Sequence, residues 1–177
     1  MLIIMSGLPG TGKTTIAREL ARRLNGVYLR ADTIAQALIS AKIMIDDNNP
    51  TAYIVGYALA EENLRAGATV IVDYVNGIEL TRQAWRDVAA RANSGFHEIE
   101  IVCSDPVEHK RRVETRVSDI SGLVLPTWQQ VVDRTYDKWP AGTTTVDTAA
   151  VSVEEAVHGL LVQLGRDGDE LGGRFSG

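Results

Sequence analysis

A chain of 177 residues, 45% hydrophobic and 23% charged, has the length and composition of one globular domain with a single sizeable core. Its formal net charge of -5, without a long run of like charges, argues against a dedicated nucleic-acid binder, and its single cysteine, Cys103, excludes an internal disulfide. No apolar run reaches the length of a membrane span and no signal-type leader precedes the first strand, so the expected location is cytoplasmic.

Apolar runs alternate with helical patterns along the chain, the arrangement of a parallel sheet covered by helices. Residues 2–6 read as a buried strand, followed by a loop over 7–12. Ile16, Leu20 and Leu24 recur at helical spacing and predict a helix over 13–24, closed by Gly26. A short strand over 27–29 leads into Asp32, and a helix is expected from about 33 into the 43–45 region. Pro50 opens another helix, with Asn49 as its cap and Gly67 just past its end.

A third buried strand over 69–72 ends at Asp73, and a helix follows over about 80–92. The fourth strand is expected over 99–103. After it, Asp105-Pro106-Val107-Glu108 reads as a capping box with proline at the first helical position. Residues 118–126 interrupt the helical pattern. Thr127 then caps a further helix, with Gln130 three residues on. The fifth strand is expected over 143–146. Ser152 and Glu155 form another capping box, opening a last helix that ends near Leu164. The glycine-rich polar tail, 165–177, is expected to be disordered.

Between the first strand and first helix, Gly7-Leu8-Pro9-Gly10-Thr11-Gly12-Lys13-Thr14 fits the phosphate-loop pattern G-x-x-x-x-G-K-[ST] in full. Glycines let the backbone turn its N–H groups toward phosphate oxygens, and the helix opening at Lys13 adds the positive end of its dipole. Lys13 can reach the β- and γ-phosphates, and the Thr14 hydroxyl is the expected Mg²⁺ ligand. Thr15 either contacts the α-phosphate or faces its own helix.

In doubly wound sheets ligands bind beyond the carboxyl ends of strands, where Asp32 and Asp73 stand. Asp73 fits a Mg²⁺ ligand, direct or through water, or a turn aspartate. Asp32 fits a helix cap, or a general base for an acceptor hydroxyl attacking the γ-phosphate. Arg112 and Arg116, four apart on a basic helix with Lys110 and Arg111, fit a lid closing over phosphates, or a solvated basic face. Glu108 and Arg112 can form an exposed pair. Trp128 and Trp139, with Arg134 between them, can line an acceptor pocket, with Arg134 on a phosphate, or pack with one polar tip. Trp85 reads as core. His97, His109 and His158 show no metal-ligand clustering. Tyr53, Tyr57 and Asn76 are open as acceptor-facing residues.

Taken together, the phosphate loop, Leu29-Arg30-Ala31-Asp32, Val70-Ile71-Val72-Asp73, and Cys103-Ser104-Asp105-Pro106 leading to Arg112 and Arg116 resemble the small P-loop kinases. That group joins adenylylsulfate kinase, gluconate kinase, chloramphenicol phosphotransferase and zeta-toxin-like proteins, and the resemblance runs from Leu2 to about Leu164.

It implies an α/β, three-layer P-loop NTPase fold with a five-stranded parallel sheet of nucleoside-monophosphate-kinase type and a small helical lid. The domain is then 1–164, with the lid at about 112–127. Asp32 is implied as catalytic base or substrate anchor, and Arg112 and Arg116 as lid arginines over the phosphates. ATP, Mg²⁺ and a small-molecule phosphate acceptor are the implied ligands. The adenine pocket is expected from the lid arginines and the 144–148 loop. Where many relatives carry an arginine three residues after the acid, this chain has Ala35, so its acceptor is held differently.

An ATP-dependent phosphotransferase is therefore the expected activity. The alternatives are a polynucleotide-end or toxin-type kinase, and a nucleotide-hydrolysing switch. No guanine-reading Asn-Lys-x-Asp segment is present.

Overall fold

A computed structural model describes residues 1–43 and 50–165. The expected cap Asn49 and the tail beyond Gly165 lie outside the described residues. Five strands, β1 (Leu2–Ser6), β2 (Val27–Arg30), β3 (Val70–Asp73), β4 (Phe96–Val102) and β5 (Thr144–Asp147), form one sheet in the order β2-β3-β1-β4-β5. All four pairings are parallel. Among the described residues, seven helices connect and cover them: α1 (Lys13–Arg23), α2 (Ala31–Ser40), α3 (Thr51–Arg65), α4 (Glu79–Arg91), α5 (Pro106–Thr115), α6 (Trp128–Val132) and α7 (Val153–Gln163). The five-stranded parallel sheet expected from the sequence is thus the sheet observed.

The central strand explains the three layers. Every residue of β1 is buried, and its side chains alternate between faces as the pleat requires. Ile3 and Met5 join Ile16, Ala17 and Leu20 of α1 and Val157 and Leu160 of α7 on one side. Leu2 and Ile4 join Ala60 and Leu64 of α3 and Trp85 and Val88 of α4 on the other. Each fully buried aliphatic side chain contributes about 1.5–3 kcal/mol relative to exposure, so the two clusters hold both helix layers onto the sheet. Trp85 is core, as expected from the sequence.

Local chemistry sets the element ends. The capping boxes Thr127–Gln130 and Ser152–Glu155 are both formed. At α5 only half of the expected box exists. The Asp105 carboxylate accepts from the amides of Val107 and Glu108, but the Glu108 side chain turns instead to Arg111 and Arg112, two cations within one helical turn. Asp32 is not a cap: α2 begins at Ala31 on the extended residue Arg30, which leaves Asp32 in the first turn. Pro50 stands in the cap position of α3. After α1 it is Asn25, at φ 47°, that turns the chain, and not Gly26. Gly26 serves close approach, since a Cβ there would lie 2.4 Å from Ile71 Cδ1.

α5 ends at Thr115, so Arg116 stands on extended backbone after it and not on the same helical face as Arg112. Residues 116–127 contain neither helix nor strand.

Candidate active site

The carboxyl ends of β1, β2 and β3 open into one cleft of about 1080 Å³. Its floor is the loop between β1 and α1. Gly10 and Gly12 take φ of 86° and 89°, which L side chains rarely adopt, and a Cβ on Gly10 would lie 2.5 Å from Val113 Cγ2. α1 opens on Gly12 without a capping side chain, so its first amides remain donors toward the cleft. Leu8, Pro9, Gly10, Gly12, Lys13, Thr14 and Thr15 line the cleft; Gly7 and Thr11 shape the loop from behind.

Thr15, exposed in the first turn of α1, therefore borders the cleft. The loop is also braced from outside. His109 Nε2 lies 2.8 Å from the Pro9 carbonyl, and the Thr148 hydroxyl lies 2.8 Å from the Thr11 carbonyl.

Lys13 and Thr14 converge on Asp73. The Asp73 side chain, 1% exposed at the end of β3, is ion-paired with Lys13 and accepts from Thr14 Oγ1 at 2.8 Å and from the Tyr28 hydroxyl at 2.7 Å. Burial by itself would raise the Asp73 pKa. The Lys13 charge and the three donors outweigh it and hold the carboxyl below its usual range. Burial and the same carboxylate push the Tyr28 phenol upward, so Tyr28 stays a donor. Nothing in the sequence marks Tyr28; it meets Asp73 because β2 lies beside β3, with Arg30 in register with Asp73.

Asp32 lines the cleft beyond the loop, its side chain 46% exposed, with Arg30 Nη2 at 3.2 Å. Arg30 is itself buried, and its Nη1 donates to Asp119 at 2.9 Å. Asp119, in the irregular 116–127 segment, is bound also by Arg18 of α1. Those two arginines, Arg30 foremost, hold the Asp119 carboxyl far below the ordinary carboxylate range.

The two expected lid arginines have different settings. Arg112 donates from Nη1 to Thr148 Oγ1 at 2.8 Å, from Nη2 to the Thr148 carbonyl at 3.1 Å, and from Nε to Glu108 at 2.8 Å. Arg116 has a buried Nε without a hydrogen-bond partner among the described residues, and burial lowers its pKa while the Asp32 charge opposes that shift.

Several open sequence assignments resolve here. Tyr53 and Arg134 line the cleft; Trp128, Trp139, Tyr57 and Asn76 do not. Trp128 packs edge-on against His109 with ring centroids 5.1 Å apart. Asn76 is buried and binds Ser6 Oγ and Trp85 Nε1. Trp139 lies over the guanidinium of Arg82 at 3.8 Å. Arg82 itself went unnoticed in the sequence. It is fully buried in α4 and donates to the carbonyls of Asn76, Gly77, Asp137 and Lys138, fixing the segment after α6 to the body.

Six cations, Lys13, Arg18, Arg30, Arg112, Arg116 and Arg134, face the cleft against three carboxylates, Asp32, Asp73 and Asp119. An acidic chain has thus gathered positive charge into one cavity, which suits polyanionic ligands. Residues 2–135 match the family model described as AAA domain.

The chain belongs to this family of P-loop domains. Part of this AAA domain is 37% identical over 79 residues to a cytidylate kinase from Pyrobaculum islandicum. That match spans 40% of this chain and 42% of the relative, so less than half of the curated protein is covered. Among solved structures, a candidate kinase from Chloroflexus aurantiacus superposes with a TM-score of 0.73 at 22% identity, over 93% of this chain and 95% of that one. APS kinase from Mycobacterium tuberculosis, in complex with AMPPNP and APS, superposes at 0.61 with 18% identity, over 93% and 96%. The fold of small P-loop kinases, expected from the sequence, is therefore the fold of this AAA domain. No helix among the described residues is long and apolar enough to cross a membrane.

Proposed function

We propose that this protein is a P-loop kinase that moves the γ-phosphate of ATP to a hydroxyl of a small-molecule acceptor. One observation carries the reading: the cleft does not stop at Lys13 and Thr14. It continues past Asp73 to Asp32, with Ala31, Ala35, Ile39, Ala52 and Tyr53 among its walls. About 1080 Å³ exceeds the roughly 300–1,000 Å³ common for one ligand and leaves room for a nucleotide and an acceptor together.

In this reading the amides of the loop and Lys13 hold the β- and γ-phosphates. The adenine lies toward Arg112, Thr148 and Val151, which line the cleft near the end of β5. Asp32 accepts the proton of the acceptor hydroxyl as its oxygen bonds to the γ-phosphorus and the bond to the β–γ bridging oxygen breaks. Arg112 and Arg116, in the segment proposed as a lid over about 112–127, receive charge developing on the transferred group.

The residues present also fit a magnesium ion. Thr14 Oγ1 and Asp73 Oδ2 are hard oxygen donors 2.8 Å apart at the phosphate loop. Among the described residues there is no cluster of three or more His, Cys, Asp or Glu able to hold a metal. That suits an ion bound by one or two protein oxygens, with substrate phosphates and water completing its shell. When bound, it would neutralise phosphate charge. Tyr28 then orients the Asp73 carboxylate, as outer-sphere donors do.

The test is a panel of hydroxylated small molecules incubated with ATP and Mg²⁺, read by mass spectrometry for a phosphorylated product. Wild type is expected to phosphorylate a member, and Lys13→Ala to lose that activity. Transfer instead to a 5′-hydroxyl oligonucleotide would replace the small acceptor by a polynucleotide. ATP hydrolysis with no acceptor stimulation would replace the kinase by a switch. Failure to bind ATP would end the proposal.

A further inference from the structure

Two carbonyls of the phosphate loop are each met by a side-chain donor from elsewhere in the chain. His109 Nε2 lies 2.8 Å from the Pro9 carbonyl, and since a carbonyl only accepts, this nitrogen carries the proton. The Thr148 hydroxyl lies 2.8 Å from the Thr11 carbonyl and 3.0 Å from that of Val102. Arg112 Nη1 donates to the same hydroxyl oxygen at 2.8 Å, so its proton points away from the guanidinium. The Val102 carbonyl already accepts from the Thr148 amide at 2.9 Å, which leaves the Thr11 carbonyl in need of the donor. Both supports are well fixed. His109 is buried in α5 with its ring against Trp128, and Thr148 follows Asp147, whose carboxylate accepts from the amides of Ser104 and Ala149.

What these bonds do follows from peptide geometry. In a trans peptide the C=O of one residue and the N–H of the next point in opposite directions. Holding the Pro9 and Thr11 carbonyls on the outside therefore turns the Gly10 and Gly12 amides to the inside of the loop. Neither amide has a hydrogen-bond partner among the described residues, whereas the Thr11 amide between them donates to the Leu8 carbonyl. Glycine makes the outside support necessary. Gly10 and Gly12 reach φ of 86° and 89° without strain, and a glycine can leave such values as easily. A peptide that rotated there would present its carbonyl to a phosphate in place of its N–H.

We propose that Thr148 and His109 are positioning residues for phosphate binding: Thr148 aims the Gly12 amide, and His109 the Gly10 amide, at the phosphate chain of the ligand. The Arg112 charge polarises the Thr148 hydroxyl and strengthens its bond to Thr11. The inference rests on the reading of the cleft as a nucleotide site, and assigns the aim of the loop to residues outside the motif.

The test compares variants that keep or remove each donor. Thr148→Val keeps the shape without the hydroxyl, and Thr148→Ser keeps the hydroxyl. His109→Phe keeps a ring without the donor, and His109→Gln keeps an N–H. AMPPNP with Mg²⁺, and inorganic tripolyphosphate, are titrated by calorimetry at a temperature where thermal unfolding shows the proteins folded. Thr148→Val and His109→Phe should each weaken both ligands roughly ten- to a hundredfold, with the Ser and Gln variants within about threefold of wild type. Tripolyphosphate has no base or ribose, so its loss reports on the loop alone. Ligand should move the Gly10 and Gly12 amide proton resonances downfield in wild type. The Gly12 shift should vanish in Thr148→Val and the Gly10 shift in His109→Phe. A lowered Tm with unchanged affinities, losses confined to AMPPNP, or equal losses in the conservative variants would each overturn the inference. The two positions are independent, so if one variant does not fold the other decides. Wild type that binds neither ligand would end the nucleotide reading and the inference with it, whereas binding that no variant alters would end the inference alone.

Discussion

Replacing Asp73 by Asn tests the centre of the site. The substitution preserves shape but removes a charge 1% exposed to solvent, leaving Lys13, Thr14 and Tyr28 as three donors to one amide oxygen. Breaking a buried ion pair costs about 3–5 kcal/mol when the remaining charge cannot escape. Lys13 is 11% exposed and borders an open cleft, so it can turn toward water, and we expect a loss nearer about 2–3 kcal/mol. At roughly 2–4 °C per kcal/mol for a domain of this length, Tm should fall by about 4–12 °C.

Thermal and urea unfolding of the nucleotide-free protein at neutral pH measure it directly. The folded Asp73 pKa lies below its ordinary value of 3.8, so its stabilising contribution is complete above that value. It is lost as pH falls from 3.8 through the folded pKa. Asn does not titrate, so the gap between the two proteins should narrow in acid. An unchanged Tm at neutral pH, or a gap that widens in acid, would refute the pairing described for this carboxylate.

Other positions give independent checks. Asp32→Asn should lower kcat by about 10²–10⁴ with ATP affinity retained, and an unchanged kcat would remove Asp32 as the base. Arg82→Met strips donors from four backbone carbonyls and should cost about 2–4 kcal/mol in urea unfolding, with loosening of the Trp139 region visible in fluorescence. Gly56→Ala would put a Cβ 1.9 Å from the Tyr74 hydroxyl and should destabilise by about 1–3 kcal/mol; wild-type stability would mean that α3 shifts freely on the sheet.

What could be read from the sequence was whatever is local. The phosphate loop, two full capping boxes and the five strands carry their signals within a few residues, and each is present. Strand edges moved by a few residues at most; β4, for example, begins at Phe96, where its side chains are still exposed and give no apolar run to see. The site partners were different. Tyr28 sits on an ordinary strand, and Asp119 in a segment with no pattern at all. Their roles depend on the β2–β3 neighbourhood and on the path of residues 116–127 over α1. Arg82 looked like any helix-surface arginine, because nothing in α4 announces that the 136–139 segment will cover it.

The bracing of the phosphate loop has a mechanical consequence. His109 and Val113 hold the loop from one side, and Arg112 is tied through Thr148 to the Thr11 carbonyl. α5 is thus a strut of the nucleotide platform, and rotating it would distort the glycine turn. A hinge that spares the platform has to lie beyond Thr115. It would carry Arg116 and Asp119 and leave Arg112 standing, so one arginine would travel with the moving part and the other would belong to the fixed frame.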